Sequence, residues 1–130
     1  MVGAKMRKRL MIVDDNPDLL YTVERIFQED DIDVITVNCG DECLKEVEKG
    51  FHGLILLDIM MEDKSGWEVI RELDENGMAK DTVIAMLTAK NSPDERRSEL
   101  QRYVVDYIRK PFTRDELKVR IDECFRYLEA

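Results

Sequence analysis

Apolar residues follow two alternating patterns along this chain, short continuous runs and longer stretches with helical spacing. The run at residues 54–57 is apolar throughout, with Gly53 before it and Asp58 after it, which predicts a strand buried on both faces. Similar runs predict four more strands. The predicted strands are residues 9–13, 33–37, 53–57, 82–87 and 103–108.

Stretches between these strands place apolar residues three and four positions apart, the spacing of an amphipathic helix. Start signals support them: Asn16 precedes a proline, and Ser65 and Thr113 each stand three residues ahead of a glutamate, as in a capping box. The helix expected at residues 93–102 has Leu100 as its only aliphatic residue, so we expect it to be the least stable. The predicted helices begin at about residues 17, 41, 66, 93 and 114.

Strand and helix alternate five times, which is typical of an α/β fold whose parallel sheet is covered by helices on both faces. A doubly wound sheet of five strands in the order 2-1-3-4-5, with five helices, suits a chain of 130 residues. The sequence therefore predicts a single domain over residues 1–130, with its core at about 9–128.

The formal net charge of −9 argues against direct binding of nucleic acid, which requires clustered lysine and arginine. No apolar run approaches the roughly 20 residues of a membrane-spanning helix, and the basic N-terminus lacks the long apolar segment of a secretory signal. These features predict a cytoplasmic protein without a membrane partner. Cys39, Cys43 and Cys124 lack the paired spacing of a zinc site and are expected to be buried, reduced thiols.

Candidate chemical groups fall where the predicted strands end. Asp14 and Asp15 follow the first strand, Asp58 the third and Thr88 the fourth, and Lys110 lies just after the fifth. Because parallel strands end at one edge of a sheet, we expect these residues to meet there. Three carboxylates held together repel one another, and a divalent cation removes that conflict. Oxygen ligands of this kind favour magnesium over calcium or zinc.

A site of this composition suits phosphoryl transfer, in which a metal ion and a lysine offset charge on the phosphoryl oxygens. Asp58 stands alone at the end of its strand and is the expected nucleophile, forming an aspartyl phosphate. Lys110 would pair with a carboxylate or a phosphoryl oxygen, and Thr88 offers a hydroxyl donor. The alternative is a structural acidic cluster balanced by one lysine, or an aspartate that only caps a turn.

The ordered set of these motifs resembles the receiver domains of two-component response regulators. The motifs are Asp14-Asp15, Asp58 with the following Ile-Met-Met, Ser65-Gly66, Thr88-Ala89, Tyr107 and Lys110-Pro111-Phe112. By resemblance the fold is flavodoxin-like, and Asp58 takes a phosphoryl group from a histidine kinase or a phosphotransfer protein. Asp15, Asp58 and the backbone carbonyl of Met60 are the implied ligands of magnesium, with manganese as an alternative ion, and Asp14 acts mostly through water. The bond from Lys110 to the following proline is expected to be cis.

The same resemblance implies a conformational switch. Thr88 would turn toward the new phosphoryl oxygens while Tyr107 moves inward, a population shift that phosphorylation drives. The surface expected to change is formed by the predicted fourth helix, the fifth strand and the last helix. It would bind an output protein or domain, in a monomer or a phosphorylation-dependent homodimer. Met60, Ala89 and Lys90 are implied to set the lifetime of the aspartyl phosphate.

Two other functions compete with this one. A phosphatase or hydrolase with an aspartyl nucleophile is disfavoured because Asp58 has no acid two residues later to serve as general acid, and because 130 residues leave no room for a cap domain. A flavin-binding protein is disfavoured because no phosphate loop follows the first strand, where Asp14 and Asp15 would repel the flavin phosphate. We expect a protein that catalyses its own phosphorylation and dephosphorylation, without turnover of a separate substrate.

Overall fold

The structure is a computed structural model that describes residues 8–89 and 99–129. All five of its strands are parallel, and they are hydrogen-bonded in the predicted order 2-1-3-4-5. The predicted α/β fold is therefore confirmed. In chain order the elements are β1 (Lys8–Val13), α1 (Pro17–Phe27), β2 (Ile32–Val37), α2 (Gly40–Glu48), β3 (Gly53–Asp58), α3 (Gly66–Glu75), β4 (Thr82–Thr88), β5 (Val104–Arg109) and α4 (Arg114–Glu129).

The described residues hold four α-helices where the sequence predicts five. The difference concerns the helix expected at residues 93–102, of which 93–98 lie outside the described part of the chain. The end of that range is described, and it forms a 3-10 helix, Gln101–Tyr103. The N–H of Tyr103 bonds the carbonyl of Leu100 at 3.1 Å. This tight turn places Tyr103 before β5, so the prediction that the strand opens at residue 103 was wrong by one position.

The sequence signals for helix starts are confirmed. The Asn16 side chain accepts the backbone N–H two residues later at 3.0 Å and starts α1. Capping boxes start α3 at Ser65 and α4 at Thr113. In each box the hydroxyl accepts the backbone N–H of a glutamate three residues later, and the carboxylate of that glutamate accepts the backbone N–H of the capping residue. Gly50 ends α2 with a φ of +108°, a conformation that favours glycine. The start of α2 differs, because its N-cap residue Cys39 makes no side-chain capping bond.

Two apolar clusters form the core, one on each face of the sheet. One lies under α2 and α3, and the other lies under α1 and α4. The central strand β3 contributes to both, since Ile55 and Leu57 belong to the first cluster while Leu54 and Leu56 belong to the second. Every residue of β3 is buried, as predicted. Each such side chain contributes roughly 1.5–3 kcal/mol to stability relative to an exposed one, so β3 fixes the position of Asp58 firmly.

All three cysteines are free thiols, and the two layers of helices each bury one of them. Cys43 lies in the cluster under α2 and α3, and Cys124 lies in the cluster under α1 and α4. Burial raises the pKa of each of these thiols to about 12. Cys39 is only partly buried, so the prediction of three buried thiols holds for two.

Along residues 8–89 and 99–129, no helix combines the length and the apolar character needed to cross a bilayer.

Candidate functional site

The predicted site residues lie at the carboxyl edge of the sheet. Asp14 directly follows β1, Asp58 ends β3, Thr88 ends β4, and Lys110 directly follows β5. Strand register brings the neighbouring ends together, because Asp58 is aligned with Leu87 and the N–H of Lys110 donates to the carbonyl of Thr88 at 2.8 Å. The parallel topology thus assembles groups that are up to 96 residues apart in the chain.

Three carboxylates form an acid cluster at this edge. Asp14, Asp15 and Asp58 each offer an oxygen, and these atoms all lie within 4.8 Å of one another. Asp14 is 1% exposed and Asp58 is 5% exposed, whereas Asp15 is exposed and opens the cluster to solvent. Backbone groups orient two of them: Asn16 N–H donates to Asp14 at 2.9 Å, and Glu62 N–H donates to Asp15 at 3.1 Å.

Lys110 bridges the two buried acids. Its Nζ lies 2.9 Å from Oδ2 of Asp14 and 3.3 Å from Oδ1 of Asp58. Burial and the charge of Asp14 nevertheless raise the pKa of Asp58 to about 6, against the lowering effect of Lys110. Burial alone would lower the pKa of Lys110, but its bonds to both carboxylates outweigh burial and raise that pKa. The ammonium group therefore stays charged, while the carboxylates around it remain in excess.

The acid cluster fits a divalent metal ion. The donors are carboxylate oxygens, which hard cations prefer, and three carboxylates meet here beside a single lysine ammonium group that contacts two of them. The sequence predicted all three acids. It did not predict the N–H of Glu62 as the partner of Asp15, because a backbone donor leaves no sequence signal.

The described residues also include Met60, Thr88 and Ala89 of the predicted site. The Met60 side chain points into solvent with 61% of its surface exposed. Thr88 is half-buried and Ala89 is exposed. Lys90, the third residue expected to set the lifetime of the phosphoryl group, lies outside the described residues.

Tyr107 is on β5, aligned with Met86 of β4, and packs against the cluster under α2 and α3. Its ring centre lies 6.4 Å from that of Trp67, with the ring planes at 46°. Trp67 is 3% exposed at the start of α3. Sequence reasoning missed this aromatic contact, since nothing in the chain order links residues 40 positions apart on different elements.

A cleft of about 530 Å³ opens beside Lys110. The peptide bond from Lys110 to Pro111 in its wall is cis, as predicted. The cleft lies between residues of α1 and the segment that follows β5. Its lining includes Asn16, Leu19, Thr22, Ala89, Lys110 and Phe112.

A five-stranded doubly wound fold with an acid cluster and a lysine at its carboxyl edge defines a class of phosphoryl-transfer signalling domains. The model of the response regulator receiver domain family matches residues 10–122 of the chain. The chain belongs to this family, and it is a receiver domain of two-component signal transduction, as predicted from its motifs. Nothing in the comparisons supports the phosphatase alternative.

Similar proteins include transcriptional regulators. The chain is 39% identical to the transcriptional regulatory protein CiaR of Streptococcus pneumoniae over 118 residues, which are 91% of this chain and 51% of CiaR. It is 32% identical to the alkaline phosphatase synthesis transcriptional regulatory protein PhoP of Bacillus subtilis over 124 residues, 95% of this chain and 51% of PhoP. The chain thus spans about half the length of the curated relatives it matches.

Solved structures share the fold over nearly the whole chain. A CheY-like receiver domain protein of Methanospirillum hungatei has a TM-score of 0.89 at 37% identity, covering 95% of this chain and 98% of that one. The response regulator TrrA of Thermotoga maritima, solved in complex with Mg²⁺ and BeF, has a TM-score of 0.73 at 33% identity, covering 90% and 98%.

Proposed function

We propose that this receiver domain is a phosphorylation switch in which Asp58 accepts the phosphoryl group. The observation that carries the proposal is the convergence of three carboxylate oxygens within 4.8 Å around a lysine that contacts Asp14 and Asp58. We take residues 1–130 as one domain with its core at 9–128, which agrees with the family match at 10–122.

Magnesium is the proposed ion. The site would hold it through the carboxylates of Asp15 and Asp58 and the backbone carbonyl of Met60, with Asp14 acting through water. When bound, it supplies positive charge that offsets the phosphoryl oxygens during transfer. TrrA was solved with Mg²⁺, which supports magnesium as the bound ion, whereas manganese has no such support.

The protein's own groups have separate parts in the reaction. A carboxylate oxygen of Asp58 attacks the phosphorus in line, forming the new O–P bond while the bond from phosphorus to the donor breaks and its electron pair leaves with the donor. Lys110 exchanges its contact with Asp58 for one with a phosphoryl oxygen, which keeps its charge paired. Thr88 donates its hydroxyl to another phosphoryl oxygen. Met60, Ala89 and Lys90 would set the lifetime of the product.

The partners follow from this chemistry. A histidine kinase or a histidine phosphotransfer protein would supply the phosphoryl group, and the cleft beside Lys110 would be part of the surface that it contacts. Because the similar regulators are about twice as long as this chain, the output is a domain of a longer protein or a separate protein. The domain itself acts in the cytoplasm, as a monomer or as a homodimer that forms on phosphorylation.

The switch would pass from Thr88 to Tyr107. A hydroxyl drawn toward the phosphoryl group vacates space next to β5, and Tyr107 moves against its neighbour Trp67. The surface that responds comprises β5, α4 and the predicted helix at residues 93–102.

Incubation with a small acyl phosphate and Mg²⁺, followed by intact-mass spectrometry, tests the proposal. The wild-type protein should gain one phosphoryl mass that hydroxylamine removes, as expected of an acyl phosphate, and Asp58→Asn should gain none. Absence of the mass in the wild type, or equal labelling of Asp58→Asn, would overturn the proposal.

A further inference from the structure

The loop between β3 and α3, residues 59–65, is bonded to the start of α2 by two consecutive side chains, Asp63 and Lys64. These bonds are called the ties to α2. The first N–H groups of a helix have no partner within it, and Cys39 does not cap α2. Asp63 supplies the acceptor from a distant part of the chain, with Oδ1 at 3.2 Å from the N–H of Gly40 and Oδ2 at 3.3 Å from that of Asp41. Its negative charge also complements the positive end of the helix dipole.

Lys64 makes the second tie. Its Nζ lies 2.8 Å from Asp41 on α2 and 2.5 Å from Glu72 on α3, and its side chain is only 17% exposed. The aliphatic stem passes directly over Gly40, where an added Cβ would lie 2.5 Å from Cγ of Lys64. Lys64 therefore joins α2 and α3 across the loop, and the close fit at Gly40 holds its stem in place.

The same loop contacts the acid cluster. Glu62, next to Asp63, donates its N–H to Asp15 at 3.1 Å. The base of the loop is closed where Gly66 N–H donates to the carbonyl of Ile59 at 2.8 Å. The tip of the loop is held by the Glu62 bond to Asp15 and by the ties of Asp63 and Lys64 to α2, so the ties to α2 help to set its position over the acids.

We infer that Asp63 and Lys64 are positioning residues for the proposed metal site, because they hold the loop in which Glu62 N–H orients Asp15 and from which Met60 would offer its carbonyl as a ligand. The inference rests on the proposed magnesium-dependent function. Neither side chain touches the acid cluster, so each acts only through the loop between them and the site.

Titration of Mg²⁺ into the metal-free protein, followed by amide NMR spectra, tests the inference without any phosphodonor. Asp63→Ala removes both acceptors, and Lys64→Met removes the charge while keeping the stem. Each variant should bind Mg²⁺ about three- to fivefold more weakly, the size expected when a helix cap is lost. The Glu62 amide signal should also move in Asp63→Ala. Asp63→Asn keeps one acceptor and should recover most of the affinity.

Val47→Ala is the matched control, because it weakens the packing of α2 in the core while keeping the bonds of Asp63 and Lys64 to α2. It should lower the stability of the protein and leave both the Mg²⁺ affinity and the Glu62 signal unchanged. Wild-type affinity in Asp63→Ala and Lys64→Met, or an equal loss in Val47→Ala, would overturn the inference. Should the wild type bind Mg²⁺ but fail to gain a phosphoryl group on Asp58, the proposed function would fail while this test would still decide the role of the loop. If Asp63→Ala does not fold, the Mg²⁺ affinity of Lys64→Met decides.

Discussion

At the scale of single residues, the site depends on one ammonium group that two buried carboxylates share. Lys110 lies within 3.3 Å of both Asp14 and Asp58, yet the pKa of Asp58 is still raised to about 6, chiefly by burial and then by Asp14. Three carboxylates lie beside this one ammonium group, so the metal-free site is short of positive charge. Two predictions follow from this imbalance.

Replacing Asp58 by asparagine should stabilise the metal-free protein at about pH 7.5. An acid whose pKa rises on folding opposes folding once it ionises, so the penalty is absent below the ordinary pKa of 3.8, grows up to about 6 and is constant above that. At 1.36 kcal/mol per pKa unit the gain is about 1–3 kcal/mol. Urea unfolding at about pH 7.5 and pH 4 measures it, and an equal difference at both pH values would contradict the prediction.

Replacing Lys110 by methionine should change two quantities in opposite directions. The free energy of unfolding should fall by about 1–3 kcal/mol, because two buried acids lose their cation. The loss is smaller than for a fully buried pair, since 29% of the Lys110 side chain is exposed to solvent. Affinity for Mg²⁺ should rise, because a competing positive charge is gone. Urea unfolding and amide NMR titration measure the two, with Lys110→Arg as the charge-retaining control. A variant that binds Mg²⁺ more weakly than the wild type would contradict this account.

At the scale of elements, the sequence predicts whatever rests on local signals. The buried run of β3 and the capping boxes at Ser65 and Thr113 depend on neighbouring residues and are confirmed. Parallel topology then suffices to bring the strand-end acids together. The cap of α2 by Asp63 was missed because its partners are 22 and 23 residues away, and the contact of Trp67 with Tyr107 was missed for the same reason.

The capping box of α4 gives a prediction at this scale. Thr113→Ala removes the hydroxyl that accepts the Glu116 N–H at 3.1 Å and should lower the free energy of unfolding by about 1 kcal/mol. Thr113→Ser retains the acceptor and should stay close to the wild type. Urea unfolding compares the three proteins, and a serine variant as unstable as the alanine variant would show that the hydroxyl is not the cause.

At the scale of the whole molecule, the proposed switch would couple the acid cluster to the aromatic pair of Trp67 and Tyr107. Trp67 is the only tryptophan of the chain, and its ring lies 6.4 Å from that of Tyr107. A movement of Tyr107 on phosphorylation must therefore change the surroundings of a single fluorophore.

Phosphorylation by a small acyl phosphate with Mg²⁺ should shift the emission of Trp67. Thr88→Ala should still gain the phosphoryl mass on Asp58 but lose most of the shift, because the hydroxyl that couples the phosphoryl group to Tyr107 is gone. Fluorescence and intact mass are recorded on the same samples, and Asp58→Asn serves as the unphosphorylated control. An emission shift as large in Thr88→Ala as in the wild type would contradict the proposed coupling between Thr88 and Tyr107.

The two buried thiols have a practical consequence. Cys43 and Cys124 sit in separate apolar layers, each with a pKa of about 12, and only a thiolate reacts readily with alkylating reagents. In a Cys39→Ser background, the thiols of Cys43 and Cys124 are the two that remain. Each becomes reactive only when the apolar cluster that contains it opens to solvent. Alkylation rates read separately at these two positions would therefore reveal whether the halves of the molecule loosen together or one at a time.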